Sequence, residues 1–237
     1  MAELEIAKHG KKAVDAVASK QHTLKDKIKD FLLEIFIIVF AVSLSIWFHG
    51  LSEKSHERHE KKEFLKGLKA DLKHDIENVS KDLDFIKQQQ KAYLYISNLK
   101  TGEIADKDTI SSYQKYLYKY IGVQSNSGRY EGFKSSGKLA LLENEELEDS
   151  VLDLYEEINP TLEKSLESYN THKRSIADYV ISNSENYPDG DYIKVLSSNP
   201  VKMRCKMFLS DTQDVVLAYQ ERIKKMHEIL HLIEKDH

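Results

Sequence analysis

The sequence predicts an all-α fold, in which a single N-terminal transmembrane helix continues into a long stalk helix and an extramembrane helical bundle. Only 3 prolines and 9 glycines occur among 237 residues, of which 31% are charged, and this composition is typical of long helices with few turns. An uninterrupted apolar run extends from Phe31 to Phe48. Beyond that run, apolar residues recur about every 3.5 residues, which is the spacing of a coiled coil or a bundle seam.

The apolar run has the length of a membrane-spanning helix. Its 18 residues span roughly 27 Å, close to the ~30 Å hydrocarbon core of a bilayer. A cleaved signal peptide is excluded because Trp47 and Phe48 are too bulky for a cleavage site. The alternative is a buried helix of a soluble core, but the run is apolar on every side and the rest of the chain is highly charged. We therefore predict a transmembrane helix over 31–49, with the lipid bilayer as its first partner.

The basic residues that flank the run do not decide its orientation. The positive-inside rule counts Lys and Arg near each end of a span. The counts are equal, with Lys20, Lys25, Lys27 and Lys29 before the run and Lys54, Arg58, Lys61 and Lys62 after it. A short tail that precedes an uncleaved anchor most often stays in the cytosol. We therefore predict a cytoplasmic tail and juxtamembrane helix over 1–30, with the large domain on the other side of the membrane.

The segment 50–100 is predicted to form the stalk, as a coiled-coil helix. It begins with a solvated stretch from Ser52 to Glu63 that holds no aliphatic side chain. The stalk is predicted to continue the transmembrane helix. A capping box of Thr23 and Asp26 is expected to begin that continuous helix, which extends to about Asn98. The predicted seam, which can close an oligomer or pack within a bundle, consists of Leu65, Leu68, Leu72, Ile76, Val79, Leu83 and Ile86.

The remaining residues, 101–237, are predicted to form a helical bundle that packs with the stalk. Turn-forming residues divide this part of the chain into short and long elements. Pro160 is expected to kink or break its helix, because proline lacks a backbone donor. The predicted elements are a tyrosine-rich helix at 110–121, a loop at 122–137, a helix capped by Asn144, a long helix at 161–182, a turn at 188–190, a short helix from 199 and a last helix from Asp211.

Several short sequences in the anchor and the bundle occur together in a known pattern. They are Leu33-Glu34-Ile35, Ser52-Glu53-Lys54, the stretch from Phe64 to Leu72, the stretch from Arg129 to Leu139 (RYEGFKSSGKL), Glu145-Glu146-Leu147 and Asp153-Leu154-Tyr155. Over residues 25–180 this pattern resembles an uncharacterised family of single-pass membrane proteins from Bacteroidota. The chain departs from it at Phe48-His49, where the family has an Asn-Trp pair. The resemblance implies a domain of unknown role on a bacterial inner membrane, without catalytic residues. Together with the orientation predicted above, it makes the large domain periplasmic.

Glu34 is the first candidate for a functional residue, because a carboxylate inside a membrane helix is costly. In helical steps it shares a face with Ala41, Ser45 and Phe48, so that a stripe of small and polar residues continues from it. Small residues let helices approach closely in lipid. We predict that Glu34, Ala41 and Ser45 form a membrane-helix interaction face. The alternatives are a carboxylate that only reaches the interface, and an ion or proton relay.

The sequence His227-Glu228-Ile229-Leu230-His231 matches the HExxH pattern of zinc proteases. Such enzymes need a third ligand downstream, and only 6 residues follow His231. An apolar seam on the same helix, formed by Val216, Tyr219, Ile223, Met226, Leu230 and Ile233, places Glu228 and His231 on the outer surface. A solvated helix face is therefore favoured over an adventitious surface metal site, and both over a metalloprotease.

Three further groups have a structural interpretation that outweighs a functional one. His49, Glu53, His56 and Glu60 form one line along a helix, which could bind metal or sense pH in an oligomer but is typical of a solvated face. Cys205 shares a face with Val201 and Phe208, which predicts a buried thiol rather than a nucleophile. The tyrosines at 113, 116, 118 and 120 are expected to pack in the bundle rather than to form a ligand cage.

The net charge of −4 and the absence of a basic, aromatic stripe argue against a nucleic-acid partner. No residue pattern predicts an enzyme, a metal site or a cofactor. The predicted function is therefore that of a structural or interaction protein, forming a homo-oligomer or joining other membrane-protein subunits in a larger inner-membrane complex. The alternative is an extracytoplasmic sensory module of the chemoreceptor type. A zinc-dependent hydrolase that uses His227 and His231 is a remote third possibility.

Overall fold

The structure is a computed structural model that describes residues 24–185 and 190–235. Within these residues it is helical and contains no strand, which confirms the all-α prediction. The predicted capping residue Thr23 and the predicted turn residues Pro188 and Asp189 lie outside the described part, as does most of the predicted cytoplasmic tail.

Helix α1 extends from Leu24 to Ser97 as one uninterrupted element of 74 residues. Among the described helices it is the one long and apolar enough to cross a membrane, and none of its most apolar window is buried inside the protein. The chain divides into two compact units, Met1–Arg58 and His59–His237. The first contains the apolar run, and the second contains the bundle.

The second unit is built from the C-terminal part of α1 and from shorter and longer helices that pack around it. These are α2 (Lys107–Leu117), α3 (Gly128–Ser135), a 3-10 turn (Leu139–Leu142), α4 (Glu145–Leu152), a π-helical turn (Asp153–Ile158), α5 (Asn159–Asn183), α6 (Tyr192–Leu196) and α7 (Asn199–Lys235). The long helices α5 and α7 pack against each other, and α7 also contacts α4 and the π-helical turn. Asp106 caps α2 and Asn144 caps α4, each by accepting a hydrogen bond from a backbone N–H in the first turn.

The predicted seam of α1 lies in the core of this unit. Leu68, Leu72 and Ile86 are fully buried, and Ile76 packs against the core from its edge. Leu65, Val79 and Leu83 are also buried. The 3.5-residue spacing makes the seam one continuous apolar stripe along α1. In this structure, other helices of the same chain cover that stripe.

Two helix boundaries differ from the sequence-based prediction. Pro160 does not break its helix, because the preceding turn is π-helical and the N–H of Asn159 bonds to the carbonyl of Leu154. The wider turn accommodates the missing donor of proline, so that α4, the π turn and α5 follow one another directly. Asp211 starts no helix either. It lies inside α7, where it accepts hydrogen bonds from Ser168 and His172 of α5.

The boundaries around α2 and α3 differ as well. The tyrosine-rich helix lies at 107–117, earlier than predicted, and the predicted loop at 122–137 contains α3. Helix α3 is held by two ring stacks, Phe133 on Phe64 at 3.8 Å and Tyr130 on Tyr155 at 4.3 Å between centroids. Aromatic anchors therefore stabilise a short helix whose glycines would otherwise disfavour it.

Two glycines of this region, five residues apart, are expected to respond oppositely to replacement by alanine. Gly137 has a φ of +72°, and a Cβ in the left-handed region costs roughly 1–2 kcal/mol. Gly132 lies within α3 with open space where a Cβ would stand, so alanine there is expected to gain about 0.5–1 kcal/mol. Thermal unfolding of the full chain in detergent should show a lower Tm for Gly137→Ala and a higher one for Gly132→Ala. Equal shifts of the same sign would contradict this account.

Candidate functional site

The most unusual site of the bundle is built around the non-helical segment 118–127, which connects α2 to α3 and is called the strap below. A segment without helical hydrogen bonds has backbone N–H and C=O groups that need other partners when they are buried. In this protein, buried or partly buried side chains from α1, α5 and α7 supply those partners.

Helix α1 holds the start of the strap through Gln89, which is fully buried. Its Nε2 donates to the carbonyl oxygens of Tyr116 at 2.6 Å and of Lys119 at 2.9 Å. Its Oε1 accepts from the hydroxyl of Tyr169 at 2.6 Å. The hydroxyl of Tyr93, on the next turn, donates to the carbonyl of Leu117. All polar atoms of the Gln89 amide are therefore used to fix the end of α2 and the first strap residues.

Helix α5 holds the centre of the strap. Asn170 forms a reciprocal pair with Ile121, since its Nδ2 donates to the carbonyl at 2.6 Å and its Oδ1 accepts from the N–H at 3.3 Å. Lys173, which is 0% exposed, donates from Nζ to the carbonyl of Lys119. Its ammonium also lies 5.2 Å from the ring centroids of Tyr120 and Tyr169. Burial lowers the pKa of Lys173 to about 7.

Helices α7 and α1 hold the end of the strap through a buried ion pair. Arg222 donates from Nη2 to the carbonyl of Gln124 at 2.8 Å and to Asp75 at 3.4 Å. The side chains of Arg222 and Asp75 are 1% and 2% exposed. Asp75 accepts from the backbone N–H of Asn126 at 3.1 Å and from its Nδ2 at 2.5 Å. The carboxylate thus links α7 to the strap through charge-assisted hydrogen bonds.

Arg222 is the group of this cluster whose burial costs the most free energy. Burial lowers its pKa, while the neighbouring Asp75 carboxylate opposes that shift. Its Nε and Nη1 donate to no described residue, and the hydroxyl of Tyr155 also has no hydrogen-bond partner among the described residues. The cost of burying this guanidinium is therefore balanced chiefly by Asp75 and by the strap carbonyl.

The α1 residues of this site share a spacing that the sequence analysis overlooked. Asp75, Asp82 and Gln89 are each seven residues apart, so they lie on one line beside the apolar seam. Asp82 is partly buried, which raises its pKa, although Lys119 of the strap and Arg222 oppose that shift. This heptad repeat of polar residues could have predicted the site from the sequence. Polar residues that repeat with an apolar seam favour specific buried partners.

The predicted membrane-helix residues Glu34, Ala41 and Ser45 lie on one exposed face of α1. The hydroxyl of Ser45 donates to the carbonyl of Ala41 at 2.8 Å, one turn earlier in the same helix. The serine is therefore satisfied without a second helix. Within the described part of the chain, no other segment covers this face.

The structure separates the members of the HExxH sequence. His227 and His231 are exposed, whereas Glu228 is half-buried and accepts hydrogen bonds from Ser150 and Lys225. The prediction that Glu228 faces outward is wrong, because the buried line of α7 runs through Arg222, Met226 and Ile229 and so turns Glu228 towards α4. Among the described residues, no group of three or more His, Cys, Asp and Glu side chains is placed to hold a metal ion.

The remaining candidate residues have structural surroundings. Glu60, at the end of the predicted line of His49, Glu53 and His56, accepts a hydrogen bond from Lys138 at 2.5 Å. Cys205 is fully buried with Val201 and Phe208, as predicted, and burial raises the pKa of its thiol to about 12.

The tyrosines of the α2 region pack against the bundle. The ring of Tyr116 contacts Phe85 with the centroids 5.1 Å apart, and Tyr113 contacts Tyr95 at 6.3 Å. The hydroxyl of Tyr118 lies 2.7 Å from that of Tyr192. These contacts confirm the predicted packing for Tyr113, Tyr116 and Tyr118, whereas Tyr120 is 46% exposed.

Comparisons with protein-family models, with curated proteins and with solved structures give no match to this chain.

Proposed function

We propose that this chain is a single-pass membrane protein of a bacterial inner membrane, with a cytoplasmic N-terminus and a periplasmic bundle, and that it acts as a non-enzymatic assembly subunit. In this proposal it forms a homo-oligomer or joins other membrane-protein subunits. The observation that supports it best is the apolar window of α1, none of which is buried by the chain itself. In lipid, a helix that carries a carboxylate and small residues on one face favours packing of that face against a second helix.

A pair of serines on opposite sides of this helix allows a matched test. Ser45 lies on the face of Glu34 and Ala41, whereas Ser43 lies about 160° away around the helix. We expect the full chain, extracted from native membranes into lipid nanodiscs, to be a defined oligomer or a stoichiometric complex. Ser45→Ile is expected to dissociate that complex, because the larger side chain prevents close helix approach, and Ser43→Ile is expected to leave it intact. A wild-type monomer without a partner, or equal effects of both variants, would refute the proposal.

A sensory function is the second candidate, and one cavity favours it. A cavity of about 330 Å³, lined by Tyr118, Val180, Ile181, Ser184 and Tyr192, lies at the end of α5. Its lining is largely apolar, and the Ser184 hydroxyl has no hydrogen-bond partner among the described residues. These properties suit a small apolar molecule with one polar group.

This candidate is tested by thermal unfolding with indole and p-cresol as probes. If the bundle is a sensor, a saturable rise in Tm is expected for the wild type and for Leu217→Trp, which adds a ring at an exposed position of α7. Ile181→Trp should abolish the rise because the indole fills the cavity. A Tm that does not change with either probe would remove the observation that favours sensing.

A further inference from the structure

Lys173 has surroundings that are unusual for a lysine. It is completely buried, yet no ion pair joins it to a carboxylate of the described residues, and burial alone perturbs its titration. Its hydrogen bond to the carbonyl of Lys119 uses one of the three donors of an ammonium group. A neutral amine needs fewer partners than an ammonium, so this pocket suits the deprotonated form better.

The groups that face Lys173 do not offset a positive charge. On the strap they are Lys119, whose ammonium lies over the ring of Phe85, and Tyr120. On α5 they are Tyr169 and Arg174, and the Arg174 guanidinium lies over the same Tyr120 ring, 5.6 Å from its centroid. The two tyrosine faces attract a cation only weakly, and the side chains of Lys119 and Arg174 supply no negative charge.

On the neighbouring helices, the described carboxylates interact with residues other than Lys173. From α1, Gln89 is used by the strap and by Tyr169, and Asp82 interacts with Lys119, Tyr219 and Arg222. From α7, Asp211 accepts from His172 and Ser168 on the adjacent side of α5. Protonation of Lys173 therefore places an uncompensated charge under the strap, and opening of the strap to water relieves it.

We infer that Lys173 is a pH-dependent latch, which holds the strap on the bundle when its amine is neutral and loosens it when the amine is protonated. The linkage has a definite sign. The pKa of Lys173 is about 7 with the strap closed and 10.5 for a solvated lysine, so opening takes up one proton between these values. The closed strap therefore gains stability as pH rises through this window, by up to about tenfold per pH unit in the opening equilibrium, and does not change further below pH 7.

The strap that Lys173 holds also forms part of the wall of the cavity described above. Tyr118 belongs both to the strap and to the cavity wall, where its hydroxyl contacts that of Tyr192. Loosening of the strap would therefore alter one wall of that cavity. This consequence is separate from the inference about Lys173, which does not depend on a ligand.

Hydrogen exchange of the full chain in detergent tests the inference directly. The readout is the protection of strap amides, such as those of Ile121 and Asn126, corrected for the intrinsic effect of pH. For the wild type we expect protection to rise about tenfold per pH unit above neutral pH. In Lys173→Met the rise is expected to disappear. The exposed Lys164 of the same helix gives a matched control, and Lys164→Met is expected to keep the wild-type slope.

Lys173→Gln provides a second variant, which keeps a neutral donor towards Lys119 if the methionine variant fails to fold. It is also expected to show protection that does not vary with pH. The inference is overturned if the wild-type strap shows no pH dependence in this window, or if the glutamine variant keeps the wild-type slope. It is likewise overturned if Lys164→Met removes the slope, because another group would then be responsible.

Discussion

Asp75→Ala is expected to destabilise the folded bundle by about 3–5 kcal/mol, because it leaves the charge of Arg222 buried without its counter-ion. Arg222 and Asp75 are 1% and 2% exposed, so water cannot replace the lost carboxylate without opening the core. The strap also loses two hydrogen bonds that Asn126 donates to Asp75. Denaturant unfolding of the full chain in detergent, followed by helical circular dichroism, measures the change.

Helix α1 contains a matched control for this prediction. Asp71, one turn away, pairs with Arg129 at 2.8 Å, but these side chains are 23% and 44% exposed. Because water screens exposed pairs, Asp71→Ala is expected to cost only about 0–1 kcal/mol. A second comparison replaces both buried partners, as Asp75→Leu with Arg222→Met, and is expected to recover much of the lost stability. Equal costs for Asp71→Ala and Asp75→Ala would contradict the importance given to burial.

Val39→Arg is expected to reduce membrane insertion strongly, because Val39 lies at the centre of the apolar run. An arginine at the middle of a transmembrane helix costs about 2.5–3.5 kcal/mol on insertion scales. Since about 1.4 kcal/mol corresponds to a tenfold change in an equilibrium, the equilibrium constant for insertion should fall on the order of 100-fold, and the inserted fraction should fall with it. Resistance of the expressed chain to alkaline carbonate extraction measures this fraction.

The control for Val39→Arg is Leu217→Arg in the bundle. The two residues are similarly exposed in the structure, at 57% and 54%. Leu217 lies on the outer face of α7, where an arginine reaches water, so its replacement is expected to leave extraction unchanged. If Val39→Arg remained in the membrane fraction as fully as Leu217→Arg, the apolar run would not be the anchor.

The parts of the fold that follow from local periodicity could be predicted from the sequence. The apolar run and the seam of α1 repeat at helical spacing, so their burial or exposure depends on few other residues. The strap could not be predicted in this way, because its partners are distant in sequence. Arg222 and Gln124 are separated by 98 positions, and Gln89 and Tyr169 by 80. Such contacts exist only after α1, α5 and α7 have come together.

Two misplaced helix boundaries have a physical reason as well. The turn before Pro160 is π-helical, so the helical segments on its two sides follow one another without a gap. Asp211 resembles an N-cap in sequence, yet its carboxylate is used by Ser168 and His172 of the neighbouring helix. The Asp211 carboxylate is therefore used between two helices rather than at the start of one.

The central proposal is that the anchor helix serves assembly through the face of Glu34, Ala41 and Ser45. Photo-crosslinking in native membranes tests it most directly, with benzoylphenylalanine placed singly at each of two positions on this face and two on the opposite face. We predict discrete protein adducts from Ala41 and Ser45, and only lipid adducts from Phe36 and Ser43. Adducts of equal yield from both faces, or lipid adducts alone from Ala41 and Ser45, would contradict the proposal.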